Sequence, residues 1–168
     1  MLPEFFEFHA PTRIVFQNGA AALLADEVAR LGRARPFVVT DKPLRETGVV
    51  DRVLSTLSGA SVVAAGVYDE IPRDSDVGAV ERGADRARAA GADCLVALGG
   101  GSVIDTAKGM NIVLGAGGRL LDHQGINVLT TPLWPLVSIP TTAGTGSEVS
   151  RFAVVKDVAS HQKVTFVS

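Results

Sequence analysis

Cys94-Leu95-Val96-Ala97-Leu98-Gly99-Gly100-Gly101-Ser102-Val103-Ile104-Asp105-Thr106-Ala107-Lys108 decides how this sequence is read. Its first five residues are apolar throughout, the pattern of a short strand buried on both faces. Three glycines break the run, and a helix follows over residues 101–114, ended by Gly115-Ala116-Gly117-Gly118. Consecutive glycines let the backbone approach a bulky anion with no Cβ in the way. The first amides of a helix lack intrahelical acceptors and sit at the positive end of its dipole. Strand, glycine turn and helix start, in that order, point to a phosphate or pyrophosphate site beyond the strand's carboxyl end. The spacing is neither G-x-G-x-x-G nor the Walker pattern. The loop alone therefore does not name its ligand, and a tight structural turn is the plain alternative. Ser102 and Asp105 read as a capping box, and Lys108, one turn on, as an ion-pair partner of Asp105.

Working outward, the same alternation recurs. Upstream lie a helix over 21–31 stopped by Gly32, a strand over 36–40 ending at Asp41, and a helix over 49–57. A strand over 61–65 follows, then a helix over 77–90 with Asp76 as a cap and Gly91 as its stop. Downstream, residues 136–139 read as a strand, and 152–155 and 163–167 as two strands around a polar hairpin. Phe6 and Phe8, then residues 13–16, read as an N-terminal β-hairpin. Short apolar strands alternating with amphipathic helices predict an α/β fold with a doubly wound, mostly parallel, Rossmann-like sheet. Residues 1–168 are expected to form one domain. The sequence stops within a predicted strand, which reads as a truncation.

Composition narrows the function classes. The chain is 46% hydrophobic and 20% charged, as a packed globular core requires. Its net charge of −2, and the acidic residues interleaved with Arg82, Arg86 and Arg88, argue against a nucleic-acid partner. A lone cysteine, Cys94, excludes an internal disulfide and reads as a small buried hydrophobe. The absence of a leader or membrane span in the sequence predicts no membrane partner and a cytoplasmic location.

Two further features bear on the ligand. Ile139-Pro140-Thr141-Thr142-Ala143-Gly144-Thr145-Gly146-Ser147-Glu148 follows the strand over 136–139 and supplies four hydroxyls and two glycines. Alone it is a Ser/Thr turn; beside the glycine loop it is a second polar wall. Asp41, at a strand end, is placed to accept hydrogen bonds from a ribose and to repel a 2′-phosphate, which favours NAD over NADP. Its plain role is a turn or helix cap before Pro43.

Together, Gly-Gly-Gly-Ser-Val-Ile-Asp-Thr-Ala-Lys at 99–108 and Ile-Pro-Thr-Thr-Ala-Gly-Thr-Gly-Ser-Glu-Val at 139–149 resemble the iron-containing (group III) alcohol dehydrogenases. Residues 11–16 and 69–76 share the likeness. The resemblance implies a cofactor-binding N-terminal half and a helical C-terminal half absent from this sequence. It implies that Asp41 contacts the adenosine ribose, and that Gly99, Gly100, Gly101 and Ser102 hold the pyrophosphate. Thr141, Thr142 and Thr145 would lie along the cofactor, with Phe152 near the nicotinamide and Lys163 reaching toward it. The reaction implied is reversible hydride transfer between a small alcohol or aldehyde and NAD. A divalent metal, iron or zinc, is implied only for a full-length parent, held by one aspartate and three histidines. His9, His123 and His161 lack the i, i+4 spacing of a helical metal pair, so no complete metal site is expected. Turnover by this chain alone is therefore doubtful, and self-association is expected to cover exposed apolar surface, with Phe5, Phe6 and Phe8 as a candidate edge. Two other readings stand beside this one: a relative of the dehydroquinate synthase and glycerol dehydrogenase type, and a non-catalytic nucleotide-binding or assembly module.

Overall fold

The computed structural model describes residues 12–57 and 61–167. In chain order its elements are a 3-10 turn (Ala20–Leu23) running into α1 (Leu24–Arg30), β1 (Pro36–Val39), α2 (Lys42–Glu46) and α3 (Val49–Ser55). Then come β2 (Gly66–Tyr68), α4 (Val77–Ala89), β3 (Cys94–Gly99), α5 (Gly101–Ala116) and a 3-10 turn (Leu120–His123). The last are β4 (Gly125–Ile126), β5 (Leu136–Pro140), β6 (Phe152–Asp157) and β7 (Gln162–Val167).

Four of these strands form one all-parallel sheet in the order β2-β1-β3-β5. Every residue of β1 and β3 is buried, which is why their sequences are apolar without alternation. Their side chains nevertheless divide by face. Phe37, Val39, Leu95 and Ala97 pack into one core with Val80 and Ala84 of α4 and Ile104, Ala107 and Met110 of α5. Val38, Cys94, Val96 and Leu98 enter a second core with Leu24 and Val28 of α1 and Val50 and Val53 of α3. Helices thus cover both faces, as a doubly wound sheet requires. Each fully buried side chain of this size contributes about 1.5–3 kcal/mol relative to exposure, so the two central strands anchor the fold.

Side chains define the helix ends. Asp76 accepts the Ala79 amide at 2.7 Å and starts α4. Arg35 donates to the Ala90 and Gly91 carbonyls, both at 2.8 Å, and closes its other end. A smaller sheet, β4-β7-β6, is built on the antiparallel β6–β7 hairpin. Its inner residues Ala153, Val155, Val164 and Phe166 join the α4–α5 core. No helix among the described residues is long and apolar enough to cross a membrane.

Parts of the secondary structure depart from the sequence reading. The strand expected over 61–65 is instead β2, at 66–68. Residues 63 and 65 still bond the Ala34 and Pro36 carbonyls at 2.8 Å, but the ladder itself pairs Gly66 with Phe37. A Cβ on Gly66 would lie 2.8 Å from the Phe37 ring, so the glycine makes room for that ring. Residues 13–16 form no strand; Arg13 is drawn instead to Glu27 of α1 by an ion pair. The other arm, with Phe5, Phe6, Phe8 and His9, lies outside the described residues. The sequence reading gave no range for the short α2, but Asp41 takes the cap role weighed for it, accepting the Leu44 amide at 2.8 Å with Pro43 in the first turn.

Candidate functional site

The site is built where three parallel strands end. β3 stops at Gly99, Gly100 is the extended residue that opens α5, and no side chain caps that helix. Ile104 is the first residue to bond back into the helix, to the Gly100 carbonyl at 3.1 Å. The amides of Gly101, Ser102 and Val103 precede the first intrahelical bond and are available to an anion. The expected Ser102–Asp105 capping box does not form. Ser102 Oγ donates to the Arg73 carbonyl at 2.9 Å, across to the loop that follows β2.

The threonine loop is joined to the glycine loop at its base, where the Thr141 amide donates to the Gly99 carbonyl at 3.0 Å. A Cβ on Gly100 would come within 3.0 Å of Thr142 Oγ1, and one on Gly101 within 3.3 Å of Thr145 Cβ. Glycines allow this approach without crowding the threonine side chains. The result is a cleft of about 550 Å³ lined by Asp41, Pro43, Leu44, Thr47, Ile71, Pro72, Arg73, Gly100, Gly101, Ser102, Val103, Thr141 and Thr142. Asp41, Gly100, Gly101, Ser102, Thr141 and Thr142, far apart in sequence, thus meet on one surface.

Four other expected site residues do not line this cleft. Gly99 ends β3, and a Cβ there would collide with Val103 at 2.6 Å. Thr145 turns back on its own loop, accepting the Ser147 amide at 3.3 Å and lying 3.4 Å from a Glu148 carboxylate oxygen. Phe152 is half exposed at the start of β6. Lys163, on β7, is exposed with its Nζ 3.8 Å from Asp74. The loop residues 71–73 lie in the 69–76 segment that shares the family likeness, but neither they nor Thr47 were named as site residues. The rule that ligands sit beyond strand carboxyl ends was the signal for them, since 71–73 follow β2.

Behind the threonine loop lies a half-buried charged group. Lys108 Nζ donates to the Phe152 carbonyl at 2.7 Å, the Ser150 carbonyl at 2.8 Å and Ser150 Oγ at 3.3 Å. The expected hydrogen-bonded pairing with Asp105 is replaced by this clamp, because the lysine reaches across to the chain after the loop. Burial pushes the Lys108 ammonium below its ordinary value, with Asp105 and Glu148 acting against it. Asp105 Oδ2 accepts the Val154 amide at 3.2 Å, and Oδ1 is buried without a hydrogen-bond partner. Burial raises the Asp105 carboxyl above its ordinary range, opposed by that amide, by Lys108 and by Ser147. Burial likewise pushes the Cys94 thiol up to about 12, so it stays protonated and inert.

Among the described residues no group of three or more His, Cys, Asp or Glu side chains could hold a metal ion. His123 Nε2 is engaged 2.7 Å from the Gly117 carbonyl, and His161 sits in the β6–β7 turn at φ 58°. The donor set does not fit a metal centre. The glycine cradle, by contrast, fits a phosphate.

Comparison with known proteins places this geometry. The family model for iron-containing alcohol dehydrogenase matches residues 11–168. The 4-hydroxybutyrate dehydrogenase of Cupriavidus necator is 40% identical over 148 residues, covering 86% of this chain and 38% of that protein. A crystal structure of 1,3-propanediol oxidoreductase superposes with a TM-score of 0.93 at 34% identity, over 98% of this chain and 43% of the other. Sulfoacetaldehyde reductase from Bifidobacterium kashiwanohense, solved in complex with NAD+, gives a TM-score of 0.88 at 28% identity, over 99% of this chain and 44% of that one. The chain therefore spans about two fifths of the length of these relatives. Motifs, parallel sheet and match across nearly all its residues agree: the chain belongs to the iron-containing alcohol dehydrogenase family.

Proposed function

We propose that this chain, residues 1–168 as one domain, is the NAD-binding part of an oxidoreductase that interconverts a small alcohol and its aldehyde. The observation that carries the reading is the convergence of Gly100, Gly101, Ser102, Thr141, Thr142 and Asp41 on one cleft at the carboxyl ends of β1, β3 and β5. NAD, when bound, accepts or returns the hydride. The chain's own residues bind and orient it. Amides of Gly101 and Ser102 take the pyrophosphate oxygens, where the α5 dipole favours negative charge. Asp41 spends one oxygen on the Leu44 amide and offers the other to ribose hydroxyls; its charge disfavours a 2′-phosphate, hence NAD over NADP. Thr141 and Thr142 supply hydroxyl donors along the opposite wall. Thr145 of the same threonine loop, Phe152 at the start of β6 and Lys163 on β7 are assigned to the nicotinamide side of the dinucleotide, with Gly99 setting the turn beneath the pyrophosphate.

The relatives' names include dehydrogenases and reductases of small alcohols and aldehydes, and the substrate proposed here is of that class. The described residues form no metal donor set, so no step through a metal is derived. Cofactor binding without efficient turnover is the expected behaviour of residues 1–168. Isothermal titration with NAD tests the reading: saturable binding below millimolar concentration is expected, and a folded protein that binds no NAD at millimolar concentration overturns it. Alcohol oxidation at ordinary enzymatic rates by this chain alone would overturn the separation of binding from turnover.

Self-association belongs to the same proposal. Its surface is the apolar groove along the outer edge of β5, continuous with Ile14 and Phe16, which are 70% and 98% exposed. A second copy would cover that surface in solution, and sedimentation showing only monomer at tens of micromolar, on the order of ordinary dimer affinities, would remove the idea.

A further inference from the structure

We propose that Arg73 is the cationic contact of the cleft, its guanidinium engaging the pyrophosphate of the bound dinucleotide. The inference rests on the cofactor reading above and adds a residue to it. β2 lies at one end of the four-stranded sheet, next to β1. The chain leaving β2 crosses to α5 and is fixed there twice. Ser102 Oγ donates to the Arg73 carbonyl at 2.9 Å. Two residues on, the buried hydroxyls of Ser75 and Thr106 are 2.6 Å apart. Arg73 is therefore held against the first turn of α5, beside the helix amides that precede the first intrahelical bond.

Charge accounting singles it out. The other charged side chains of this loop are engaged: Asp69 with Arg45 at 2.6 Å, Glu70 with Arg86 at 2.9 Å and Asp74 with Lys163 at 3.8 Å, while Asp76 caps α4 through the Ala79 amide. Among the described residues Arg73 has no ion pair and no side-chain hydrogen bond. Of the residues lining the cleft, only Asp41 and Arg73 are charged. The anion is already partly engaged by the Leu44 amide, which leaves Arg73, an exposed residue of the cleft wall, as the charge there without a partner. A guanidinium presents parallel N–H donors whose spacing matches two phosphate oxygens. The glycine loop offers amides from below; Arg73 offers the counter-charge from the crossing loop.

Titration of the protein and its Arg73→Gln and Arg73→Lys variants with NAD, NADP and ADP, at low and high salt, tests the assignment. Arg73→Gln should weaken NAD and ADP alike by roughly five- to tenfold and flatten their salt dependence. Arg73→Lys should fall between, and circular dichroism should be unchanged for both because the side chain is exposed. Equal affinity of wild type and Arg73→Gln for NAD and ADP overturns the Arg73 assignment and leaves the cofactor reading standing. A loss confined to NADP overturns it in another way, by making Arg73 a reader of the ribose 2′-phosphate. Failure of the wild type to bind NAD or ADP at all overturns the cofactor reading itself.

Discussion

Two hollows in this molecule differ in size and in kind. The larger, about 960 Å³, runs along β5 between residues 12–16, α1 and the start of β6, and its walls are mainly apolar. The smaller, about 550 Å³, sits over the ends of β1, β3 and β5 and gathers an anion, a cation, three threonines and a glycine cradle. Size favours the first and chemistry the second. The lesson is physical. An apolar groove beside an edge strand is what a sheet leaves when nothing covers it, whereas helix amides, hydroxyls and opposite charges converge only where the chain reversals are built for a polar ligand.

The sharpest way to break the contrast is to fill the small cleft. Gly100→Val would push side-chain atoms toward Thr142, whose Oγ1 is already only 3.0 Å from a Cβ at that position. NAD affinity should fall more than about tenfold, as expected when a bulky group blocks a close backbone approach, while self-association stays as in wild type. Unchanged affinity by calorimetry would show that the cleft is not the site. Next in size is Lys108→Met, which strips the Ser150 and Phe152 carbonyls of their donor. Urea unfolding should show a loss of about 1 kcal/mol, the net worth of hydrogen bonds to acceptors that water can partly reach. NAD binding should weaken with it, since the clamp holds the threonine loop in place.

Asp105 gives a prediction with a pH sign. Burial raises its carboxyl in the folded state, so the folded protein holds that proton more tightly than the unfolded chain. This contribution to stability is fully present below the unfolded carboxylate value. It is lost as pH rises through the raised folded value. Asp105→Asn removes the titration and keeps an oxygen for the Val154 amide. The variant's stability relative to wild type should therefore increase between pH 3 and pH 7, on the order of one carboxylate titration; a pH-independent difference in urea midpoints would contradict the burial argument. Asp41→Asn is milder. It keeps the cap on α2, so stability should change by only a few tenths of a kcal/mol, roughly the difference between good caps. Loss of the charge should narrow NAD over NADP preference by roughly threefold to tenfold, one weak charge–charge repulsion in water. No change in the ratio of the two dissociation constants would free Asp41 of that role. Smallest is Phe16→Ser on the other hollow. It should weaken self-association by a few-fold, about the burial of one partly covered side chain, without touching NAD binding.

Much of this was readable before any coordinates. The apolar runs of β1 and β3, the caps at Asp76 and Gly91 and the β6–β7 hairpin stand where local rules put them. Those rules depend only on nearby residues: a continuous apolar run needs cover on both faces, and a carboxylate before a helix finds its free amides. β2 was misplaced because glycine reads locally as a strand breaker, while here Gly66 is the residue that admits the Phe37 ring. The Ser102–Asp105 box and the Asp105–Lys108 pair failed for a related reason. Each assumed that polar side chains of one helix turn bond within that turn. Ser102, Asp105 and Lys108 all bond chain distant in sequence, at Arg73, Val154 and residues 150–152.

The sequence by itself determined the parallel α/β layout, the glycine turn with its helix start, and the family, because periodicity and motif spacing are local properties. Only the tertiary structure decided which side chains share the cleft. Strand order set beside one another ends that lie about a hundred residues apart along the chain, and it brought in Arg73 from a loop to which the sequence alone assigned no ligand contact. It also left Thr145, Phe152 and Lys163 outside the walls of that cleft. Convergence of charges and hydroxyls in space depends on pairing and crossover, and no local pattern encodes that.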